Sequence, residues 1–177
     1  AYHGNHDAIQ ISVIPPLDQA GDAESPQAVA AFPGISDRAV DDIFIIPYNN
    51  IVAAEKIIRE HADELAAVIV EPVNGQCGMI PGKPEFLEGL RRLTDELGIV
   101  LIFDEVIAFR IAYGGAQDYY GITPDLTCFG KVVGGGMPVG AFGGREDIMS
   151  MWDPSNGGAT VQHAGTFNGN PMTAAAG

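Results

Sequence analysis

The sequence is poor in basic residues and in cysteine. Nine lysines and arginines stand against 23 aspartates and glutamates, which gives a formal net charge of -14 over 177 residues. Such an acidic surface repels phosphate backbones and anionic lipid headgroups, so nucleic acid and membrane partners are disfavoured. Cys77 and Cys128 stand alone without metal-ligand spacing, which fits a reducing compartment better than a disulfide scaffold. We therefore expect a cytoplasmic protein.

Long apolar runs and a leader sequence are also missing. No apolar stretch approaches the length of a membrane span, and the opening AYHGNHDA lacks the charged and apolar regions of a signal peptide. Apolar residues still make up 46% of the chain, enough for a sizeable core in one domain. Because the chain starts at Ala1 and stops in NPMTAAAG, which resembles the first turns of a helix, we expect residues 1–177 to be a partial domain truncated at both ends.

A regular alternation of helix and strand patterns begins at Asn49. Two helices are predicted: NIVAAEKIIREHADEL, with an asparagine cap, and PEFLEGLRRLTDELG, which Pro84 opens and Gly98 ends. Four strands are predicted: the buried LAAVIVEP and IVLIFDEV, then DLTCFG and VGAFGG. Residues 15–42, rich in Pro, Gly and Asp, indicate a long surface excursion. The pattern predicts an α/β fold with a mostly parallel sheet flanked by helices.

Lys131 and Asp104 are the strongest candidates for chemistry. Lys131, one of three lysines, follows the DLTCFG strand and precedes three glycines. In an apolar, close-packed setting the amine would be desolvated and could form a Schiff base, whereas a solvated loop lysine is the plainer alternative. Asp104 lies at the end of the predicted strand IVLIFDEV, at the edge where open α/β sheets bind ligands. The two residues predict either a catalytic site or a structural ion pair, and Asp104 could also cap a nearby loop.

Metal and nucleotide sites are not predicted. His3, His6 and His163 show no metal-site spacing, which favours positions at the surface or behind the site for them. The glycines at 134–136 lack the spacing of nucleotide phosphate loops. Close packing of backbone beside Lys131 explains these glycines better.

Several linked motifs resemble one enzyme family. The runs IFDEV, AYGGAQDYYGITPDLTCFGKVVGGGMPVGAFGGREDIM and HAGTFNGNPMTAAAG resemble class III pyridoxal-phosphate-dependent aminotransferases, most of all the glutamate-1-semialdehyde 2,1-aminomutase branch. YHGNHD and EPVNGQCGMIPGKPEFLEGLR extend the resemblance over nearly the whole chain. It implies part of the large domain of the fold type I transferases, without the upstream phosphate-binding loop and the C-terminal small domain.

The resemblance implies roles for individual residues. Lys131 matches the lysine that holds pyridoxal 5'-phosphate as a Schiff base and shuttles the proton at the reacting carbon. Asp104 matches the carboxylate that keeps the pyridine nitrogen protonated, so that the ring withdraws electrons. Val106 and Tyr2 match the residues packed on the two ring faces. Thr166 matches the residue that reaches the cofactor phosphate of the partner subunit, which implies a homodimer with shared sites.

Plainer interpretations exist for three of these residues, and one more position bears on the substrate. Tyr2 could make ordinary packing contacts, Val106 could belong to the core, and Thr166 could be part of a turn before the last helix.

Gln76 stands where many class III transaminases have a substrate-switching glutamate and where the aminomutases have an asparagine. A neutral amide at this position therefore favours the aminomutase side. In the other direction, DEVIAFR is one residue shorter than the aminomutase-like DEVxTGFR, and YHGNHD differs from YHGHxD.

The resemblance implies an enzyme that moves an amino group. An aminomutase would convert glutamate-1-semialdehyde to 5-aminolevulinate, a transaminase would use a separate keto-acid acceptor, and an epimerase would use the same proton shuttle. A non-catalytic α/β module that retains the fold is the alternative from another class. The isolated chain is expected to bind the cofactor weakly or not at all.

Overall fold

A computed structural model describes residues 1–158 and 160–177. The strands are, in chain order, β1 (Gly21–Asp22), β2 (Ser25–Pro26), β3 (Ala67–Val70), β4 (Val73–Asn74), β5 (Ile80–Pro81), β6 (Val100–Asp104), β7 (Leu126–Gly130) and β8 (Gly140–Gly144). The α-helices are α1 (Asp37–Asp41), α2 (Ile51–Glu60), α3 (Pro84–Leu97), α4 (Gly115–Tyr120), α5 (Glu146–Met149) and α6 (Pro171–Ala176).

The central sheet has four strands in the order β3-β6-β7-β8. β6 runs parallel to β3 and to β7, whereas β8 is antiparallel to β7. All four predicted strands are therefore present, and the predicted α/β fold with a mostly parallel sheet is confirmed. Because β3, β6 and β7 run in one direction, their carboxyl ends meet at one edge of the sheet, where ligands of such sheets bind. This edge is called the carboxyl edge below.

The two long helices form where the pattern predicts them, with one difference in length. α3 begins with Pro84 and is capped at its carboxyl end by Gly98, which adopts φ 70°. α2 is capped by Asn50, whose side chain accepts from the Ala53 amide at 3.2 Å. It ends at Glu60 rather than continuing to Leu65. The Glu64 and Leu65 amides both donate to the His61 carbonyl, and this turn brings the chain to β3.

The core lies between the helix pair α2–α3 and one face of the sheet. Leu90 and Leu93 of α3 are fully buried, as are Leu101 and Phe103 of β6. Burying each of these side chains contributes roughly 1.5–3 kcal/mol. The expectation that β3 is buried on both faces is wrong for Ile69, which is 37% exposed. Its neighbours along the strand face the core, whereas Ile69 points to the opposite face.

The predicted surface excursion is confirmed, because no residue of 15–42 is buried. It contains the β1–β2 hairpin and the short helix α1, which the Ser36 side chain caps at the Ala39 amide. In the part of the chain that the structure describes, none of the helices combines the length and apolarity needed to cross a membrane.

Candidate active site

Asp104 and Lys131 lie at the carboxyl edge, on adjacent strands. Asp104 is the last residue of β6 and pairs in register with Cys128 of β7. β7 ends at Gly130, and Lys131 follows at once as the first residue of a 3₁₀ turn. The predicted placement of an acid and an amine at one sheet edge is therefore what the topology produces.

Lys131 has an unusual backbone and an accessible side chain. Its φ of 50° lies in the left-handed region, which costs a residue other than glycine on the order of 1–3 kcal/mol. Such strain is concentrated at functional sites. The predicted apolar enclosure is not found, because Lys131 is exposed. It lies beyond the strand in the turn at 131–134, where core packing does not reach it.

The carboxylate of Asp104 is paired with a histidine rather than with Lys131. Asp104 is 6% exposed. Its Oδ2 lies 2.8 Å from His3 Nδ1, and its Oδ1 accepts from the Val106 amide at 3.1 Å. Asp104 thus both caps its own loop and has the partner that a buried carboxylate requires. Within residues 1–158 and 160–177, its only ion-pair contact is His3.

His3 lies behind the candidate site, one of the two placements expected for it, and its ring is only 10% exposed. What the sequence pattern did not indicate is its pairing with Asp104. The signal was its place beside Tyr2 in YHG, next to a residue already assigned to the site by resemblance. Because Asp104 needed a partner, a histidine in that segment was a suitable candidate.

Val106 packs beside the backbone that leads into Lys131. A Cβ added to Gly130 would lie 3.3 Å from Val106 Cγ1, a tighter approach than ordinary contact. Glycine at position 130 therefore lets the half-buried Val106 side chain reach the end of β7. Val106 and Lys131 are thus on neighbouring segments of one edge.

Tyr2 reaches the same edge through its backbone. Its amide donates to Glu71 Oε1 at 3.1 Å, and its hydroxyl donates to Asn5 Oδ1 at 3.0 Å. Glu71 directly follows β3 and is 4% exposed. Residues 2 and 3 therefore bridge the ends of β3 and β6, with Tyr2 on Glu71 and His3 on Asp104.

Gln76 and Thr166 lie in exposed turns. Gln76 is in the turn that joins β4 to β5, and Thr166 is in the turn that precedes α6. Asn170 caps α6 by accepting from the Met172 and Thr173 amides. The predicted helix start after this turn is confirmed, whereas the predicted roles of Gln76 and Thr166 stay predictions.

Glu105 is a buried carboxylate that sequence reasoning did not single out. It is fully buried, and its Oε1 accepts from the Gln117 amide at 3.0 Å and the Gln117 side chain at 3.3 Å. Its Oε2 accepts from the Ala116 amide at 2.6 Å. Burial raises the pKa of Glu105 although these hydrogen bonds act to lower it. Its bonds attach the loop after Asp104 to α4.

Two cavities adjoin the carboxyl edge. A small one of about 170 Å³ has mostly apolar walls and includes His3 and Glu71 in its lining. An open groove of about 1590 Å³ runs between β7, β8 and the segment 161–177. Burial, and next the Asp104 charge, raise the pKa of Cys128, which lines this groove. No cluster of three or more metal-binding side chains occurs among the described residues.

Comparisons with known proteins agree on one family. Residues 19–177 match the family model described as aminotransferase class-III. A glutamate-1-semialdehyde 2,1-aminomutase of Desulfotalea psychrophila is 48% identical in an alignment of 177 positions that covers 99% of this chain and 39% of that protein.

Solved structures give the same grouping. An omega-transaminase from Sphaerobacter thermophilus is similar with a TM-score of 0.94 and 44% identity, over 99% of this chain and 40% of that one. A structure described as a transaminase with PLP bound has a TM-score of 0.90 and 37% identity, with the same coverage of 99% and 40%. The chain thus spans 39% of the length of the curated relative.

Proposed function

The chain belongs to the class-III aminotransferases, and from that membership we propose that the full-length protein moves an amino group with pyridoxal 5'-phosphate as cofactor. Its substrates would be small amino acids or amino aldehydes. Because the chain covers 39% of its curated relative, we assign residues 1–177 to part of the cofactor-binding large domain and the activity to the full-length protein.

The groups at the carboxyl edge fit this cofactor in their chemistry. Asp104 offers a buried carboxylate, oriented by His3 and the Val106 amide, and a buried anion is stabilised by a cationic hydrogen-bond donor such as a protonated ring nitrogen. Lys131 offers a primary amine just beyond the adjacent strand. The placement of buried Asp104 and strained Lys131 at one edge of this family's sheet is the observation that carries the proposal.

Each residue then has a defined task. When bound, the cofactor supplies a carbonyl that condenses with amines and a ring that withdraws electrons from the reacting carbon. Lys131 would hold the cofactor through its amine and would move the proton at the reacting carbon. Asp104 would keep the ring nitrogen protonated. Val106 and Tyr2 would orient the ring by packing beside it.

For the substrate, we propose an aminomutase-like reaction that converts glutamate-1-semialdehyde to 5-aminolevulinate. The 48% identical relative bears the aminomutase name, and the neutral Gln76 agrees with it. A transaminase with a separate keto-acid acceptor is the second candidate, because a structure at 44% identity is an omega-transaminase.

We also propose a cytoplasmic homodimer. Thr166 lies in an exposed turn, where a second copy of the chain could meet its hydroxyl. In the dimer Thr166 would bind the cofactor phosphate held by the partner subunit. The proposal for Thr166 rests on this exposure and on the matching motif GTFNGNP.

The test uses the full-length protein with pyridoxal 5'-phosphate and glutamate-1-semialdehyde. Formation of 5-aminolevulinate without added keto acid would establish the mutase, and an absolute need for a keto acid would eliminate it in favour of the transaminase. Lys131→Ala should abolish either activity, and Lys83→Ala, an exposed lysine before α3, should leave it unchanged. Absence of amino transfer with every donor and acceptor pair would contradict the proposal.

A further inference from the structure

Glu71 is a buried carboxylate whose two oxygens bind different parts of the site. Its Oε1 accepts from the Tyr2 amide and its Oε2 from the Gly75 amide, both at 3.1 Å. With 4% exposure, the carboxylate depends on these donors for much of the solvation that it loses. Hydrogen bonds to an ionised acceptor are also stronger than neutral ones, so both backbone segments are firmly held.

The backbone at Glu71 is itself fixed. The Tyr48 hydroxyl lies 3.0 Å from the Glu71 carbonyl oxygen and 3.2 Å from that of Pro72. Tyr48 packs edge-on against Phe86 of α3, with ring centroids 5.3 Å apart. The carboxylate is therefore attached to the core rather than to a mobile loop.

Gly75 closes the turn against the segment that follows Asp104. A Cβ on Gly75 would overlap Ile107 Cδ1 and would lie 3.5 Å from Glu71 Oε2. Ile107 is the neighbour of Val106. The turn from Gly75 to Gly78, which carries Gln76, is thus confined between Glu71 and the loop beyond β6.

We propose that Glu71 is a positioning residue that fixes Tyr2 and the Gln76 turn relative to each other. Through one carboxylate, the segment assigned to the cofactor face and the turn assigned to the substrate side move as one unit. The wall of the site is then set before any ligand binds. The importance of this role for catalysis rests on the proposed function, but the coupling of the two segments exists in the protein without cofactor.

Hydrogen–deuterium exchange of the full-length protein without cofactor tests the coupling. Glu71→Gln keeps the shape but removes the charge and one acceptor. Peptides covering residues 1–9 and 72–82 should both exchange faster, by on the order of 10-fold, because a charged hydrogen bond is lost or weakened at each end. Glu88→Gln, an exposed glutamate on α3, controls for charge, and Ile58→Val in the core controls for a mild loss of stability.

The second measurement is the Kd for pyridoxal 5'-phosphate by absorbance titration. Glu71→Gln should raise it by on the order of 10-fold and Ile58→Val should not, since only the former releases Tyr2. Faster exchange in one segment alone, in neither, or equally across the whole sheet would overturn the proposal, as would an unchanged Kd beside altered exchange. If the unmodified protein binds no cofactor, the proposed function fails, and the exchange result still decides the role of Glu71.

Discussion

Replacing Asp125 with asparagine tests how the sheet holds its register. Asp125 precedes β7 and is 5% exposed. Its Oδ2 accepts from the Leu101 amide of β6 at 2.7 Å and lies 3.0 Å from Arg91, and its Oδ1 accepts from Arg145 at 2.9 Å. One side chain at the amino edge therefore connects β6, β7 and the residue that follows β8. The same register places Asp104 opposite Cys128 at the carboxyl edge.

The magnitude follows from the exposure of each partner. The Leu101 amide and the Arg91 side chain, which is 18% exposed, each lose a charged acceptor. Each of these hydrogen bonds is worth roughly 1.5–3 kcal/mol, and the oxygen of the asparagine side chain retains one of the two bonds in part. Arg145 is 53% exposed and adds little. We expect Asp125→Asn to lower the free energy of unfolding by about 2–4 kcal/mol. Asp147→Asn, which removes the exposed partner of Arg145, is the matched control and should have a much smaller effect.

The pH dependence gives a second signature. Burial acts to raise the pKa of Asp125, but the hydrogen bonds from Arg145, Leu101 and Arg91 outweigh it and lower the pKa. A lowered pKa means that the stabilisation is complete above the unfolded value of 3.8 and is lost as the pH falls through the folded value. Urea unfolding followed by circular dichroism should show a constant gap between the two proteins from pH 7 to about 5 that narrows below about 4. A gap under about 0.5 kcal/mol at pH 7 would refute the reasoning.

Three further predictions concern the site. His3→Ala should weaken binding of pyridoxal 5'-phosphate by on the order of 10-fold in an absorbance titration, because Asp104 Oδ2 loses its partner; an unchanged Kd would contradict this. Gly115→Ala should destabilise the protein by about 2–4 kcal/mol, because φ at this position is 81° and the new Cβ meets the Glu105 carboxylate. Gly121→Ala is the control, because φ there is 66° but the space around the new Cβ is open, and it should cost only about 1 kcal/mol. Equal losses of Tm in the two variants would contradict this account. Burial raises the pKa of Glu105, so its ionisation costs stability as the pH rises above 4.5. The free energy of unfolding, measured relative to Glu105→Gln, should therefore fall between pH 4.5 and 7. A rise over this range would contradict the direction of the pKa shift.

The sheet and the edge that carries Asp104 and Lys131 could be predicted because both depend on local patterns. Apolar runs indicated the strands, and parallel strands bring their carboxyl ends together. The contacts that complete the site could not be predicted from such patterns. His3 meets Asp104 across 101 residues, and Tyr2 meets Glu71 across 69. These pairs join a loop to strand ends, where no sequence period indicates which residues touch.

The exposed Ile69 and the accessible Lys131 were also not predictable. Apolar composition indicates a strand but does not reveal which face is covered. The left-handed φ of Lys131 results from the tight turn after Gly130, and a sequence pattern gives no warning of strain at a residue other than glycine. The early helix end at Glu60 similarly reflects the turn at His61 rather than helix propensity.

The most direct test of the central claim is borohydride reduction of the full-length protein loaded with pyridoxal 5'-phosphate, followed by peptide mass spectrometry. We predict a phosphopyridoxyl group on Lys131, together with a visible absorbance band that Lys131→Ala abolishes and Lys83→Ala retains. Attachment to Lys56 or Lys83, or no covalent attachment and no visible band, would contradict the assignment of the carboxyl edge as the active site.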